Sequence, residues 1–421
     1  IHAIAYCKLP IANCLLLLRT MKKIVLAIIR EGKMPPDTRV AFNPEQCLWL
    51  KNKFPEIDII VQSSPIRCYK DDEYIKENIE VVEDVSHADW MIGIKEVPIK
   101  MLVPNKKYMF FSHTIKKQPH NKKLLQEINK RNITLVDYEC LTWENGERIL
   151  GFGHYAGVVG AYNGFLTWGK RYKSFELKPA WLCKNYDEML EQFKSIKLPP
   201  MKIAVTGTGR VARGVFELLE KLNLRMVSVQ NFLTQTYDEP VYVVLNTSQL
   251  YERKDGKPFK RNDFHKRSEQ YHSAFLPFTK VTDMFMNAIF WDPKTPAFFT
   301  KEDMRAREFR IKVIADITCD VDGSVPATIR DTSIQDPVFG YNPLTEQEDK
   351  PFQPQVIDVM AVSNLPNELP REASTEFGDK LTEFVVEEML ETKSNVIERA
   401  TIAEEGSLMP HYKYLQDYIM D

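Results

Sequence analysis

Apolar positions along this chain fall into two successive series, each reading as short strands separated by amphipathic stretches. Lys23-Ile24-Val25-Leu26-Ala27-Ile28-Ile29 is an apolar run bounded by charge, which fits a strand buried on both faces as in parallel sheets. Ile57–Val61, Trp90–Ile94, Tyr108–Phe111 and Ile133–Val136 repeat that pattern, and Asn43-Pro44 predicts a helix start. In the second series, strands are expected at Lys202–Val205, Arg225–Val229, Val241–Leu245, Ile311–Ile317 and Val356–Val362. A Gly- and Ala-rich helix is expected across Tyr155–Gly169, and helical periodicity runs from Arg371 to Glu391. Strands alternating with helices predict an α/β protein.

A length of 421 residues supports two domains. The expected architecture is two Rossmann-like doubly wound domains with a cleft between them, the C-terminal segment returning to the first. Residues 21–150, completed by 357–421, are expected to form a substrate and catalytic domain. Residues 151–356 are expected to form a dinucleotide-binding domain, entered after Lys197-Leu198-Pro199-Pro200, with a charged, aromatic insertion at about 251–299. The chain begins at Ile1, runs through four leucines at 15–18 and reaches Met21-Lys22-Lys23 just before the first strand, so residues 1–20 read as an upstream or non-native leader.

The second series contains the cofactor signal. Gly207-Thr208-Gly209-Arg210-Val211-Ala212 follows the Lys202–Val205 strand and opens a helix with Val211, Val215, Leu218, Leu219 and Leu222 at helical spacing. A glycine turn there lets backbone approach a pyrophosphate, and the helix N-terminus adds N–H donors and a favourable dipole. NAD-binding domains place an acid about 20 residues on, whereas Gln230 stands at the expected strand end. Without that carboxylate a 2′-phosphate is tolerated, so NAD or NADP fits, with Arg210 or Arg213 as phosphate partners.

The first series carries polar residues just beyond its strand ends: Lys95-Glu96, His113 and Glu139, with Arg39 and Arg148 nearby. Ligands of open α/β sheets collect at the carboxyl ends of strands. Lysine and histidine can move protons there, and arginines can hold carboxylates.

Composition narrows the classes. Lys plus Arg number 56 against 58 Asp plus Glu, a net charge of −2 without a long block of one sign. That gives no electrostatic footprint for nucleic acid or an anionic membrane, and small-molecule partners are expected. The seven cysteines are scattered without C-x-x-C or zinc spacing, which reads as reduced cytoplasmic thiols and no metal site. No run of eighteen apolar residues is present.

Arg30…Lys33…Arg39-Val40-Ala41, Ile92-Gly93-Ile94-Lys95-Glu96-Val97-Pro98 and Phe111-Ser112-His113-Thr114-Ile115-Lys116-Lys117-Gln118 resemble the lysine-forming saccharopine dehydrogenases. So do Asp137-Tyr138-Glu139, Phe152–Gly157, Asp316-Ile317-Thr318-Cys319-Asp320 and Asn364–Ser374. Glu269-Gln270-Tyr271 and Ala288-Ile289-Phe290-Trp291 look more like the lysine-ketoglutarate reductase domain of the bifunctional aminoadipic semialdehyde synthases. The resemblance spans nearly the whole chain and implies reversible conversion of lysine and 2-oxoglutarate to saccharopine with NAD or NADP. It implies an acid/base pair, Lys95 and His113, substrate contacts at Arg39, Gln118 and Arg148, and tuning carboxylates at Glu96 and Glu139. On the cofactor side it implies Gly207, Thr208, Gly209, Arg210, Val211, Gln230, Asp316 and Asp320. The alternatives are an alanine dehydrogenase or another amino-acid dehydrogenase of the same superfamily, and a catalytically inactive nucleotide sensor. His154 reads as a solvent-facing residue at a helix start.

Overall fold

The computed structural model describes residues 23–420; the leader expected at 1–20 lies outside them. The described residues fall into two compact units, the first of residues 23–151 and 374–420, the second of 152–373.

Strands in chain order are β1 (Ile24–Ile28), β2 (Ile57–Gln62), β3 (Glu80–Val82), β4 (Trp90–Ile92), β5 (Lys107–Phe110) and β6 (Thr134–Asp137). They continue with β7 (Lys202–Thr206), β8 (Arg225–Met226), β9 (Val241–Leu245), β10 (Tyr251–Arg253), β11 (Tyr271–Ser273) and β12 (Met284–Asn287). The last six are β13 (Val313–Asp316), β14 (Val338–Asn342), β15 (Gln347–Asp349), β16 (Ile357–Met360), β17 (Thr401–Glu404) and β18 (Ser407–Leu408).

In the first unit the sheet order is β3-β2-β1-β4-β5-β6, all parallel, which is the doubly wound order. β17 adds antiparallel to β6, and β18 to β17. The interior strands are apolar on both faces because helices cover both sides; Ala27, Met91, Tyr108 and Leu135 are buried together. The helix Pro44–Lys53 starts at a capping box, in which Asn43 Oδ1 accepts from Gln46 N and Gln46 Oε1 accepts from Asn43 N, both at 2.9 Å.

The second sheet runs β8-β9-β7-β12-β13-β16 in parallel, followed by antiparallel β14 and β15. β9, not β8, lies beside β7. The sequence Val-Tyr-Val-Val-Leu suits an interior position, while Arg225 and Met226 are exposed and stay at the margin. The strand expected over Arg225–Val229 therefore ends at Met226: the Ser228 hydroxyl accepts from Asn231 N at 3.2 Å and caps a helix over Val229–Thr234.

Two domain expectations are corrected. The insertion is smaller than 251–299, because Met284-Phe285-Met286-Asn287 is a fully buried strand next to β7; four residues without a β-branched side chain give a weak strand signal. Residues 357–360 also belong to the second sheet, as β16 beside β13, so the return to the first unit comes at Ser374, within the helix Pro370–Phe384. That helix stops at Phe384 and a short one, Val386–Leu390, follows, where one long periodic stretch was expected.

Candidate active site and dinucleotide turn

In the first unit Lys95 and His113, the expected acid/base pair, stand just beyond parallel strand ends. After β4 the chain turns at Ile94-Lys95, and the Glu31 carboxyl accepts from both amides, Ile94 N at 2.6 Å and Lys95 N at 2.9 Å. Burial, reinforced by Asp37, pushes Glu31 up to about 8, so near neutrality it is mostly the uncharged acid. Lys95 is half-buried, and among the described residues its ammonium has no hydrogen-bond acceptor. Desolvation first, then the Arg39 and Lys33 cations, bring it down to about 8 against the pull of Asp37 and Glu96. Arg39 is itself buried in a two-point ion pair with Asp37, Nε at 3.0 Å and Nη2 at 2.5 Å.

Glu96 links two cationic or proton-bearing groups, accepting from Lys33 Nζ at 2.7 Å and meeting His113 Nδ1 at 2.6 Å. Burial alone would raise Glu96; the His113 and Lys33 contacts win and hold it at about 2. An ionised carboxylate only accepts, so the proton of that short contact sits on Nδ1, and Nε2 is left as the nitrogen for proton exchange. His113 adopts a left-handed backbone conformation (φ 52°) and stacks over Phe111, the centroids 6.2 Å apart.

Asp137, the last residue of β6, ties this loop to the next. Its side chain accepts from Ser112 N at 3.0 Å, from the Ser112 hydroxyl, and from Glu139 N at 2.7 Å. Glu139 Oε1 accepts from Arg148 Nη2 at 2.6 Å and pairs with Lys116 Nζ at 3.1 Å. Burial opposes ionisation, but these cations bring Glu139 below its usual range. Its Oε2 is buried without a hydrogen bond, an open acceptor within a cationic cluster. Arg148 keeps 48% of its side chain exposed. Gln118, five residues beyond His113, accepts from Asn121 Nδ2 at 3.4 Å, and its carbonyl takes the Tyr418 hydroxyl. Sequence reading missed Glu31, Asp37 and Asp137; acids in a loop or at a strand end carry no periodic signal. A groove of about 500 Å³ between the helix Pro44–Lys53 and residues 375–383 contains none of the site residues.

In the second unit, Gly207 ends β7 at φ +95°, and its amide donates to Leu245 O at 2.9 Å. A Cβ there would lie 2.7 Å from Ala288 O, while one at Gly209 would meet nothing within 4 Å. Only glycine fits the first position, and open space faces the second. The helix Arg210–Lys221 begins at Gly209 and presents its first amides there, with Thr208 and Arg213 exposed at the mouth. A dinucleotide pyrophosphate suits this cradle; Gly207, Thr208, Gly209, Arg210 and Val211 would hold it. The helix is seated by glycine contacts: a Cβ on Gly214 would come 2.0 Å from His154 O, and one on Gly157 1.9 Å from Val211 O. His154 is not simply solvent-facing as expected; its Nε2 pairs with Glu217 at 3.1 Å.

Below the turn, three neighbouring strands end in polar residues, Thr206, Asn287 and Asp316, aligned by register. Thr206 Oγ1 donates to Asn287 Oδ1 at 2.7 Å, and Asn287 Nδ2 to Asp316 Oδ1 at 2.9 Å; Thr328 Oγ1 donates to Asp316 Oδ2 at 2.6 Å. Asp316 is therefore a fully buried brace with both oxygens engaged. Asp320 is exposed on the turn after β13. Gln230 is also displaced: it lies exposed in the helix Val229–Thr234, and the strand beside β7 ends at Leu245-Asn246. No carboxylate follows there either.

Residues 27–159 match the family model for the alanine dehydrogenase/PNT N-terminal domain. The chain is 29% identical over 441 residues to the α-aminoadipic semialdehyde synthase of Arabidopsis thaliana, covering 93% of this chain and 41% of that one. It is 28% identical over 447 residues to the mitochondrial α-aminoadipic semialdehyde synthase of Bos taurus, covering 94% and 48%. With the saccharopine dehydrogenase (NAD(+), L-lysine-forming) of Emericella nidulans identity is 26% over 381 residues, covering 84% and 89%. The chain is homologous to both groups. It spans less than half the length of the semialdehyde synthases it matches. An L-alanine dehydrogenase superposes with a TM-score of 0.64 at 13% identity, covering 94% of this chain and 100% of the other. A transhydrogenase from Sinorhizobium meliloti gives 0.59 at 13% identity, covering 91% and 99%. These likenesses establish the fold. Among the described residues no helix is long and apolar enough to cross a membrane, and no group of three or more His, Cys, Asp or Glu is placed to hold a metal ion.

Proposed function

We propose that this chain interconverts saccharopine with L-lysine and 2-oxoglutarate, using NAD or NADP. The observation that carries the reading is a lysine held near pH 8 without an acceptor among the described residues, next in sequence to Glu96, whose carboxylate orients His113. At about 8 roughly one Lys95 in ten is neutral at pH 7, against about one in three thousand for an ordinary lysine at 10.5. That neutral amine can take a proton from the attacking ε-ammonium of the substrate.

In the condensing direction the substrate nitrogen bonds to the C2 carbonyl carbon of 2-oxoglutarate, and its proton passes to Lys95. The carbonyl oxygen takes one proton from His113 Nε2 and the second that the nitrogen gives up, leaves as water, and a carbon–nitrogen double bond remains. Gly207, Thr208, Gly209, Arg210 and Val211 would hold a dinucleotide, which would supply the hydride for reducing that bond or accept it in reverse. Three carboxylates enter the product, and Arg39, Arg148 and Gln118 are assigned to them as cations and donor. Glu96 and Glu139 tune the cluster. The end of β9, without an acid, supports tolerance of a 2′-phosphate. Free thiols at Cys47, Cys68, Cys140, Cys183 and Cys319 suit a reducing compartment such as the cytoplasm.

The test is a matrix of lysine, ornithine and ammonia against 2-oxoglutarate and pyruvate, each with NADH and NADPH. Cofactor oxidation with lysine and 2-oxoglutarate is expected. Turnover only with pyruvate and ammonia would move the assignment to an alanine dehydrogenase, and binding without any turnover would move it to a nucleotide sensor.

A further inference from the structure

Immediately after β12, on the side of β7 opposite β9, the chain runs Ala288-Ile289-Phe290-Trp291. This segment walls the glycine turn: Ala288 O is the atom 2.7 Å from a Cβ at Gly207, and Ile289 Cα lies 3.1 Å from it. Phe290 leaves 88% of its surface exposed, the most of any large hydrophobic residue among those described. Its neighbour Trp291 buries its indole N–H without an acceptor among the described residues. An aromatic ring held in water beside a buried unsatisfied donor is unfavourable on both counts. Nothing in the fold of the second unit covers Phe290.

A dinucleotide whose pyrophosphate sits on the Gly207 turn sends its two halves to opposite sides of β7. The adenosine ribose belongs at the end of the strand adjoining β7, here β9. The other half, ending in the nicotinamide ring, extends over β12 and meets this segment. We propose that Phe290 stacks on the nicotinamide half of the bound dinucleotide, with Trp291 close behind it. The inference rests on the dinucleotide reading of the turn and adds a binding residue to it. Stacking is sequence-tolerant and flat, which a phenyl ring supplies without a hydrogen bond.

The experiment uses the whole chain and measures NADH and NADPH affinity by equilibrium dialysis, together with tryptophan-sensitised emission of the bound reduced nicotinamide. Phe290→Ala should weaken binding roughly three- to tenfold, the range expected for one aromatic stack, while Phe290→Tyr stays near the parent. Trp291→Phe should remove most of the sensitised emission while leaving affinity within about twofold. Because Phe290 is exposed, its alanine variant should unfold at the parent midpoint, separating lost stacking from lost structure. Unchanged affinity and undiminished emission in these variants would overturn the inference. Absence of both NADPH and NADH binding by the parent would instead overturn the dinucleotide reading itself.

Discussion

Replacing Lys95 by Met should make the protein more stable while removing most of its turnover. Desolvation and the adjacent Arg39 and Lys33 cations carry the ammonium from 10.5 to about 8. At about 1.4 kcal/mol per pH unit, that difference is a penalty of about 3 kcal/mol on the charged form. The unfolded chain keeps its proton up to about 10.5, whereas the folded chain gives it up near 8. Folding is therefore penalised in full below pH 8, and the penalty is relieved as pH rises from 8 to 10.5. Methionine retains most of the aliphatic volume and carries no charge. The variant should gain about 1–3 kcal/mol at pH 7, the lower end allowing for the side chain's remaining contact with water. The assay is urea unfolding of parent and variant at pH 7 and at pH 10.5, comparing midpoints at matched slopes. A gain at pH 7 that shrinks toward zero at pH 10.5 is expected. In parallel, turnover should fall by roughly 10²–10⁴, the usual worth of a general acid or base. Adding His113→Gln should deepen that loss and leave dinucleotide affinity nearly unchanged. A Lys95→Met protein less stable than the parent at pH 7, or one that keeps turnover within a few-fold, would refute the reasoning.

Gly207→Ala should abolish dinucleotide binding and lower stability by about 1–3 kcal/mol, since the new Cβ meets backbone at a positive φ; Gly209→Ala should fold normally, so any lost affinity there reports on the ligand. Dialysis and thermal unfolding of the pair separate the two effects. Arg148→Ala should raise KM for the dicarboxylic substrate roughly tenfold or more with a smaller change in kcat, since it withdraws a cation from the Glu139 cluster; an unchanged KM would argue against a substrate role. Asp137→Ala should cost about 3 kcal/mol or more, because three donors lose one buried acceptor, and circular dichroism melts would register it.

The interior strands were legible because parallel strands covered on both sides must be apolar at every position, as in β1 and β9. β12 escaped notice since Met and Phe in a four-residue run signal burial without signalling a strand. β8 was overextended because Val227 and Val229 look like strand residues, although Ser228 caps a helix between them. Among the polar groups, Lys95, His113, Glu96 and Glu139 were found through their place after strand ends, and the structure brings Glu96 to His113 and Glu139 to Arg148. What could not be read were the residues whose importance is tertiary. Glu31 acts on an amide 64 positions away, and Asp316 lies beneath the cofactor turn as a brace whose oxygens other side chains consume. Gln230 shows a different failure: counting residues from the glycine turn assumes that the next strand in sequence is the next in space, which β9 contradicts.

The first unit is closed by residues that follow the whole second unit in sequence. β6 receives its antiparallel neighbour β17 only after some 260 intervening residues, including the whole second unit. During synthesis the second unit, contiguous from 152 to 373, can complete its sheet while β6 still offers an unpaired edge. Such a long-range closure is slow to find. The sheet of the second unit can thus be complete before that of the first, and the exposed β6 edge is the place where a chaperone, or another copy in the wrong register, would first intervene.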